Sequence, residues 1–365
     1  MNKRNFKLLA GMALAPLLWA AGPAPARAFD GWYIENVAPI AGKASSWDYL
    51  ALDEPRNRLF IGHRAEGLKV FDLTGNTLAR VIDHTAQGSS NGATLIPEFD
   101  LGVSNNQDGS LTPFKLSTLE ALPPIKLGAG LDNSHYDAAT RRLIVNMDGE
   151  KDGNAELAVL QLPALEVVGR IPFPGKKPEH ADSDGRGNFF IASRDTDKVL
   201  RIDLKQLKIT AEWPTPGCGQ TNSLAMDVAG DRLFLGCRGR GATKPSFAVM
   251  NASTGAIVHV SEIGAGNDGL VYDRELKRIF LSNSVHAVLN VFEQVDADTY
   301  RHLEAMGTRA HVRTIAMHAG SKKIYSFAAQ GSADYAKPVT TSVSPFYANT
   351  FVPDTFVVLT IARRR

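Results

Sequence analysis

The chain has 365 residues, and its 40 Lys and Arg nearly balance its 38 Asp and Glu, for a formal net charge of +2. That balance gives no support to a nucleic-acid or polyanion binder, which concentrates cations against phosphates, so no nucleic-acid partner is expected. The length admits more than one domain, and two cysteines far apart cannot build a four-ligand zinc site or a CxxCH haem site.

In chain order, Lys3, Arg4 and Lys7 precede an apolar run from Leu8 to Ala21, small residues and the triplet Ala26-Arg27-Ala28. This reads as a secretory signal peptide over residues 1–28, cleaved after Ala28. The run is interrupted by Pro16 and falls short of the roughly 20 apolar residues a spanning helix needs, and no later segment is apolar enough to be transmembrane. A periplasmic or secreted protein, residues 29–365 forming one domain, is the expectation.

GWYIENVAPIA from Gly31 then reads as a lone strand. It is followed by WDYLALDEPRNRLFIG from Trp47 and LKVFDLTGNTLARVI from Leu68, a phrase of strand, tight turn, strand, loop, strand, turn, strand. The phrase returns from Asn91 (NGATLIPEFDLGVSN), Leu131 (LDNSHYDAATRRLIVN), Pro178 (PEHADSDGRGNFFIA), Thr221 (TNSLAMDVAGDRLFLG), Asn267 (NDGLVYDRELKRIFLS) and Val312 (VRTIAMHAGSKKIYSF). Repeats of roughly 40 to 50 residues are the length of four-stranded propeller blades. No segment shows αβ alternation or a sustained helical period. The prediction is all-β: a seven-bladed β-propeller with four antiparallel strands per blade. The last unit supplies only three strands, ending in DTFVVLTIA from Asp354, so the N-terminal strand should pair with the last blade and close the ring.

Cys218 and Cys237 flank the fifth repeat's first two strands and are expected to be bonded, joining those strands, with a pair of buried thiols as the alternative. The RLFIG, RLFLG and RIFLS strands, KPEHADSDGRGNFFIASRDTDKVLRIDL from Lys177 and CGQTNSLAMDVAGDRLFLGC resemble the YncE-like, or YVTN-family, seven-bladed propellers of bacteria. The resemblance spans the chain after residue 28, although no literal YVTN strand occurs. It implies an exported propeller without assigning a reaction.

Aligned on the turn before each RLF-type strand, the repeats set Asp48, Gly92, Asp132, Glu179, Asn222, Asp268 and Arg313 at one mouth of the tunnel. His180 should sit one residue deeper, His135 deeper still, and His311 just above Arg313. Crowded carboxylates must be protonated, paired with Arg313 or neutralised by a cation. Two readings follow. One is a hydrated polar rim, whose Asp48, Asp132, Glu179, His180, Asn222, Asp268, His311 and Arg313 bind a protein or small-molecule ligand without any cofactor. The other is a Ca²⁺ or Mg²⁺ site on Asp48, Glu179, Asn222 and Asp268, which resembles the cation sites of gluconolactonase-type propellers and would make the protein a lactonase-like hydrolase or lyase.

Three further segments stand out. DGEKDGNAE from Asp148 resembles a calcium loop, but Val159 stands where an EF-hand needs Glu, so an acidic surface turn is expected. Gly236, Gly239 and Gly241 with Arg238, Arg240 and Lys244 read as a basic loop between strands. The long 330–353 excursion, with Tyr335, Lys337, Phe346 and Tyr347, should open onto the charged mouth.

Overall fold

The computed structural model describes residues 31–42, 47–128, 130–149, 153, 155–332 and 350–364. The leader, Glu150 and Asp152 of the acidic loop, and Tyr335, Lys337, Phe346 and Tyr347 of the excursion lie outside them. Seven four-stranded antiparallel sheets form the blades. Blades one to six cover residues 47–81, 90–126, 131–172, 178–214, 221–262 and 267–307. Blade seven combines Ala316–Met317, Ile324–Ala328 and Val357–Arg363 with the N-terminal strand Trp32–Pro39 as its outermost member.

Local chemistry explains the repetition. Between the first and second strands, Asp137 accepts the Thr140 N–H at 2.8 Å and Asp273 the Leu276 N–H at 2.8 Å. The chain then passes through a left-handed residue, such as Asn57, Arg141, Asp231 or Lys277, before the RLF-type strand. Between the third and fourth strands, Asp72, Asp203 and Asn251 accept the N–H groups two and three residues on, at 2.8–3.0 Å. These Asx turns fix hairpin register while apolar alternation fixes which faces are buried.

The core lies at the seams between blades. Phe60, Val70 and Phe114 join blades one and two, Val199, Leu235 and Met250 join four and five, and Phe234, Phe247 and Phe292 join five and six. Each such fully buried side chain contributes roughly 1.5–3 kcal/mol. The N-terminal strand seals two seams. It runs antiparallel to Val357–Arg363, from Trp32↔Arg363 to Pro39↔Val357. Trp32 packs edge-on against Phe280 at 4.7 Å, between blades six and seven, while Ala38 and Ile40 pack with Trp47 between seven and one. Trp32, Trp47 and Trp213 all serve blade packing.

Cys218 and Cys237 are bonded, with Cα atoms 5.1 Å apart. Cys237 ends the second strand of blade five as expected, but Cys218 lies in the turn ahead of the first strand, Thr221–Asp227, rather than within it. The Cys218 N–H donates to the Thr215 carbonyl at 3.1 Å, which folds that turn over Thr221, the residue paired with Cys237.

Candidate functional site at the tunnel mouth

Each of the first six innermost strands begins with a β-bulge, between Trp47 and Leu50, Ser90 and Gly92, Leu131 and Ser134, Pro178 and Ala181, Thr221 and Ser223, and Asn267 and Gly269. A bulge leaves one residue outside the ladder and re-aims its side chain. The residues so placed are Asp48, Asn91, Asp132, Glu179, Asn222 and Asp268, all at most 5 % exposed. Blade two therefore contributes Asn91, not Gly92. Ser90, paired with Asn106, matches Trp47, paired with His63, and the next residue is the equivalent of Asp48. In blade seven Arg313 precedes a first strand reduced to Ala316–Met317.

The mouth also gathers cations that follow the second strands, Arg64, Arg194 and Arg238, together with Lys177, which precedes the first strand of blade four. The sequence reading placed Arg238 in the basic loop rather than at the mouth and did not single out Arg64, Lys177 or Arg194. Their signal is visible in RLFIGHR, NFFIASR and RLFLGCR, where each strand is followed at once by Arg. Acids and bases alternate around the tunnel. Lys177 Nζ lies 3.1 Å from Asp148 and 3.5 Å from Asp132, and Arg64 lies 3.9 Å from Asp132 and pairs with Asp48. Arg313 lies 3.7 Å from Asp48 and 2.6 Å from Asp268, which also pairs with Arg238. Asn91 Oδ1 accepts from Arg64 Nε at 2.5 Å, and Asn222 Nδ2 donates to Asp268 at 3.2 Å. Glu179 stands beside this chain with Arg194 Nη1 2.7 Å from its Oε1, an ion pair without hydrogen-bond alignment. Its Oε2 accepts from the Tyr49 hydroxyl at 3.4 Å. The five carboxylates Asp48, Asp132, Asp148, Glu179 and Asp268 thus meet the five cations Arg64, Lys177, Arg194, Arg238 and Arg313.

The electrostatics are uneven. Burial raises Asp48, against the pull of Arg64 and Arg313, and raises Glu179 against Arg194. Burial also opposes ionisation of Asp132 and Asp268. There the cations win: Lys177 and Arg64 hold Asp132 below the usual carboxylate range, and Arg238 and Arg313 hold Asp268 far below it. Burial, with Arg313 adding to it, pushes His311 down to about 4. His180 sits edge-on to Tyr49 at 5.1 Å. Below the ring a cavity of about 360 Å³ opens, lined by first-strand residues including Tyr49, His135 and His180.

The residues anticipated as cation ligands share this mouth, but Asp48, Glu179 and Asp268 direct their carboxylates at guanidinium groups, while Asn222 donates to Asp268 and keeps a buried Oδ1 without a hydrogen bond in the protein. A hard divalent ion requires convergent, uncommitted oxygens. Among the described residues no three His, Cys, Asp or Glu side chains are grouped to hold a metal ion. In the basic loop, Gly236 belongs to the second strand, Arg240 lies 3.5 Å from Asp197, and Lys244 lies 2.8 Å from Glu262. Its cations thus already face acids. The 330–353 excursion leaves the second strand of blade seven at the mouth end, on a short ladder of Gly331–Ser332 with Thr350–Phe351.

No family model matches the chain, and no curated protein matches it. Among solved structures it is similar to a chain in a crystal structure of a mitotic checkpoint complex, with a TM-score of 0.69 and 12% identity over 89% of this chain and 96% of that one. At that identity the likeness concerns the propeller fold alone.

Proposed function

We propose that the protein is an exported, YncE-like propeller that acts as a non-catalytic scaffold, binding a protein or small-molecule ligand at the charged tunnel mouth. The observation that carries this reading is the charge ring itself. Burying ion pairs is close to neutral or unfavourable for stability compared with apolar packing, and residues that break the economy of a core are expected at functional sites. Six blades each give this mouth a charged side chain, a concentration of charge not matched at the seams, whose packing is dominated by apolar clusters. The disulfide is compatible with an oxidising compartment, and no helix among the described residues is long and apolar enough to cross a membrane. The similar chain in the mitotic checkpoint complex belongs to a protein assembly, which suits a scaffold role.

Site-specific photo-crosslinking tests the reading. A crosslinking residue at Asp195, in the exposed loop beside Arg194, should capture a partner or ligand in the exporting cell. One at Glu275, on the turn at the opposite end of blade six, should not. Equal capture at both positions, or none at Asp195, would overturn the proposal. A calcium- or magnesium-dependent rise in melting temperature would favour the hydrolase reading instead.

A further inference from the structure

We propose that the tunnel cavity beneath the ion-pair ring is a binding site for a small organic carboxylate with an apolar body. The inference rests on the reading above in taking the charged mouth as the ligand face. The cavity, about 360 Å³, is within the range of small-molecule sites. Polar and apolar groups share its wall about equally, the apolar part being Leu50, Leu95, Leu270 and Ile315 from four blades.

Against that wall stand polar groups whose hydrogen-bonding capacity is unspent. His180 has a ring contact with Tyr49 and no hydrogen bond. His135 has Asp182 at 3.9 Å, beyond hydrogen-bond reach. Asn133 uses its Oδ1 to accept the Ser134 N–H at 2.8 Å, which leaves its amide N–H groups to the cavity. The remaining polar groups are committed within the protein: Thr94 Oγ1 bonds Ser134 at 2.7 Å, and the Tyr49 hydroxyl donates to Glu179. Of the three uncommitted residues, His180 has an Nδ1 fully buried without a hydrogen bond in the protein, where buried polar atoms ordinarily have partners, and Asn133 and His135 are half-buried at the cavity surface.

That capacity is weighted toward donors. An asparagine amide offers two N–H bonds, and an imidazole in either protonation state offers at least one. The carboxylates nearest the cavity already face other groups: those of the ring lie above it, each beside a cation, and Asp182, beside His135, accepts the Ser183 N–H at 2.8 Å and the Met226 N–H at 2.9 Å, so an anionic oxygen finds donors in the wall. Asn133 and His180 each follow a ring residue, Asp132 and Glu179, and therefore sit at one level just below the mouth. His135 lies two residues deeper, about 7 Å along the strand. A carboxylate held by Asn133 and His180 would place its apolar body against the aliphatic wall.

Calorimetric titration of the purified protein with benzoate, with benzyl alcohol as the uncharged counterpart, tests this. Saturable one-to-one benzoate binding is expected, at least tenfold weaker in Asn133→Leu and in His180→Leu and absent in Asn133→Asp, which sets a carboxylate in the wall. Thermal melting of each variant confirms that it is folded. Absence of benzoate binding to the wild type, equal affinity for benzyl alcohol, or affinity unchanged in the folded variants would overturn the inference. None of these outcomes alters capture at Asp195, so the cavity proposal and the scaffold reading fail separately.

Discussion

Where the second strand of blade five ends in Cys237, the second strand of blade two ends in Asn106, and the surroundings differ accordingly. In blade five the disulfide ties the preceding turn to the strand, with Leu235 and Ala248 filling the space beneath. In blade two the equivalent positions are Ser104 and Thr112, and a closed polar cluster takes the place of the bridge. Asn106 Nδ2 lies 2.9 Å from Thr112 Oγ1 and 3.0 Å from Ser110 Oγ, its Oδ1 accepts from Ser104 Oγ at 2.9 Å, and Ser104 and Ser90 share a hydrogen bond of 2.8 Å. Lower in the blade, Gly102 replaces Leu233 because Phe114 fills the space. A Cβ at Gly102 would stand 2.2 Å from that ring. One backbone therefore accepts a covalent, an apolar or a polar interior, provided that volume is matched and buried donors and acceptors find partners.

The largest effect should come from breaking the polar cluster. Asn106→Leu would break the bonds to Ser104 and Ser110, at about 1 kcal/mol each, although Ser104 keeps Ser90 and Ser110 keeps Asp108. It would also strand the buried Thr112 hydroxyl, at about 1–3 kcal/mol, destabilising the fold by about 4 kcal/mol in all. Denaturant unfolding checks the value, and a loss below about 1 kcal/mol would mean that blade two does not depend on its network. Reduction of the disulfide should cost somewhat less, about 3 kcal/mol in the chain-entropy model for a loop whose ends are 19 residues apart. Hydrogen exchange under reducing conditions should show faster exchange around 215–221 in blade five and unchanged protection in blade two. Equal loosening in both blades would show that they are not fastened independently.

The two blades also show what could be read from the chain. RLFLG in blade five announces a buried second strand. In blade two LGVSN occupies the same place, and only the spacing of its neighbours identifies it. The blade count, the closing strand and the bonded cysteines were legible because they depend on local turn chemistry and alternation. The mouth was legible as a place but not as a network. A bulge has no residue signature, so Asn91 was passed over for Gly92, even though the mouth residue stands nine positions ahead of the left-handed turn residue both from Asp48 to Asn57 and from Asn91 to Asp100. The arginines were missed because pairing across blades, such as Arg238 of blade five with Asp268 of blade six, arises only when the ring closes.

The smallest effect concerns acid, and it separates the same two blades. Blade two gives the mouth Asn91, which does not titrate, whereas blades five to seven meet there through Arg238, Asp268, Arg313 and the buried His311. With the folded His311 at about 4 and the unfolded side chain near 6.5, the unfolded chain binds more protons between those values. This contribution is complete above pH 6.5 and lost as the pH falls toward 4. Its size is at most about 2 kcal/mol once solvent screening near the mouth is allowed for. Asp48 and Glu179, raised by burial, act in the opposite sense, because protonation relieves them in the folded state. Asp268, held low by its arginines, loses its contribution only as the pH drops below the ordinary carboxylate range. The informative quantity is therefore the difference between wild type and His311→Asn, a residue that tolerates the left-handed backbone at this position, φ 67°. The variant should lose less stability than wild type between pH 6.5 and 4, with parallel curves above pH 7. Curves that are parallel throughout would show that His311 is protonated in the fold without penalty, and the acid-sensitive side of the mouth would then have to be sought among its carboxylates.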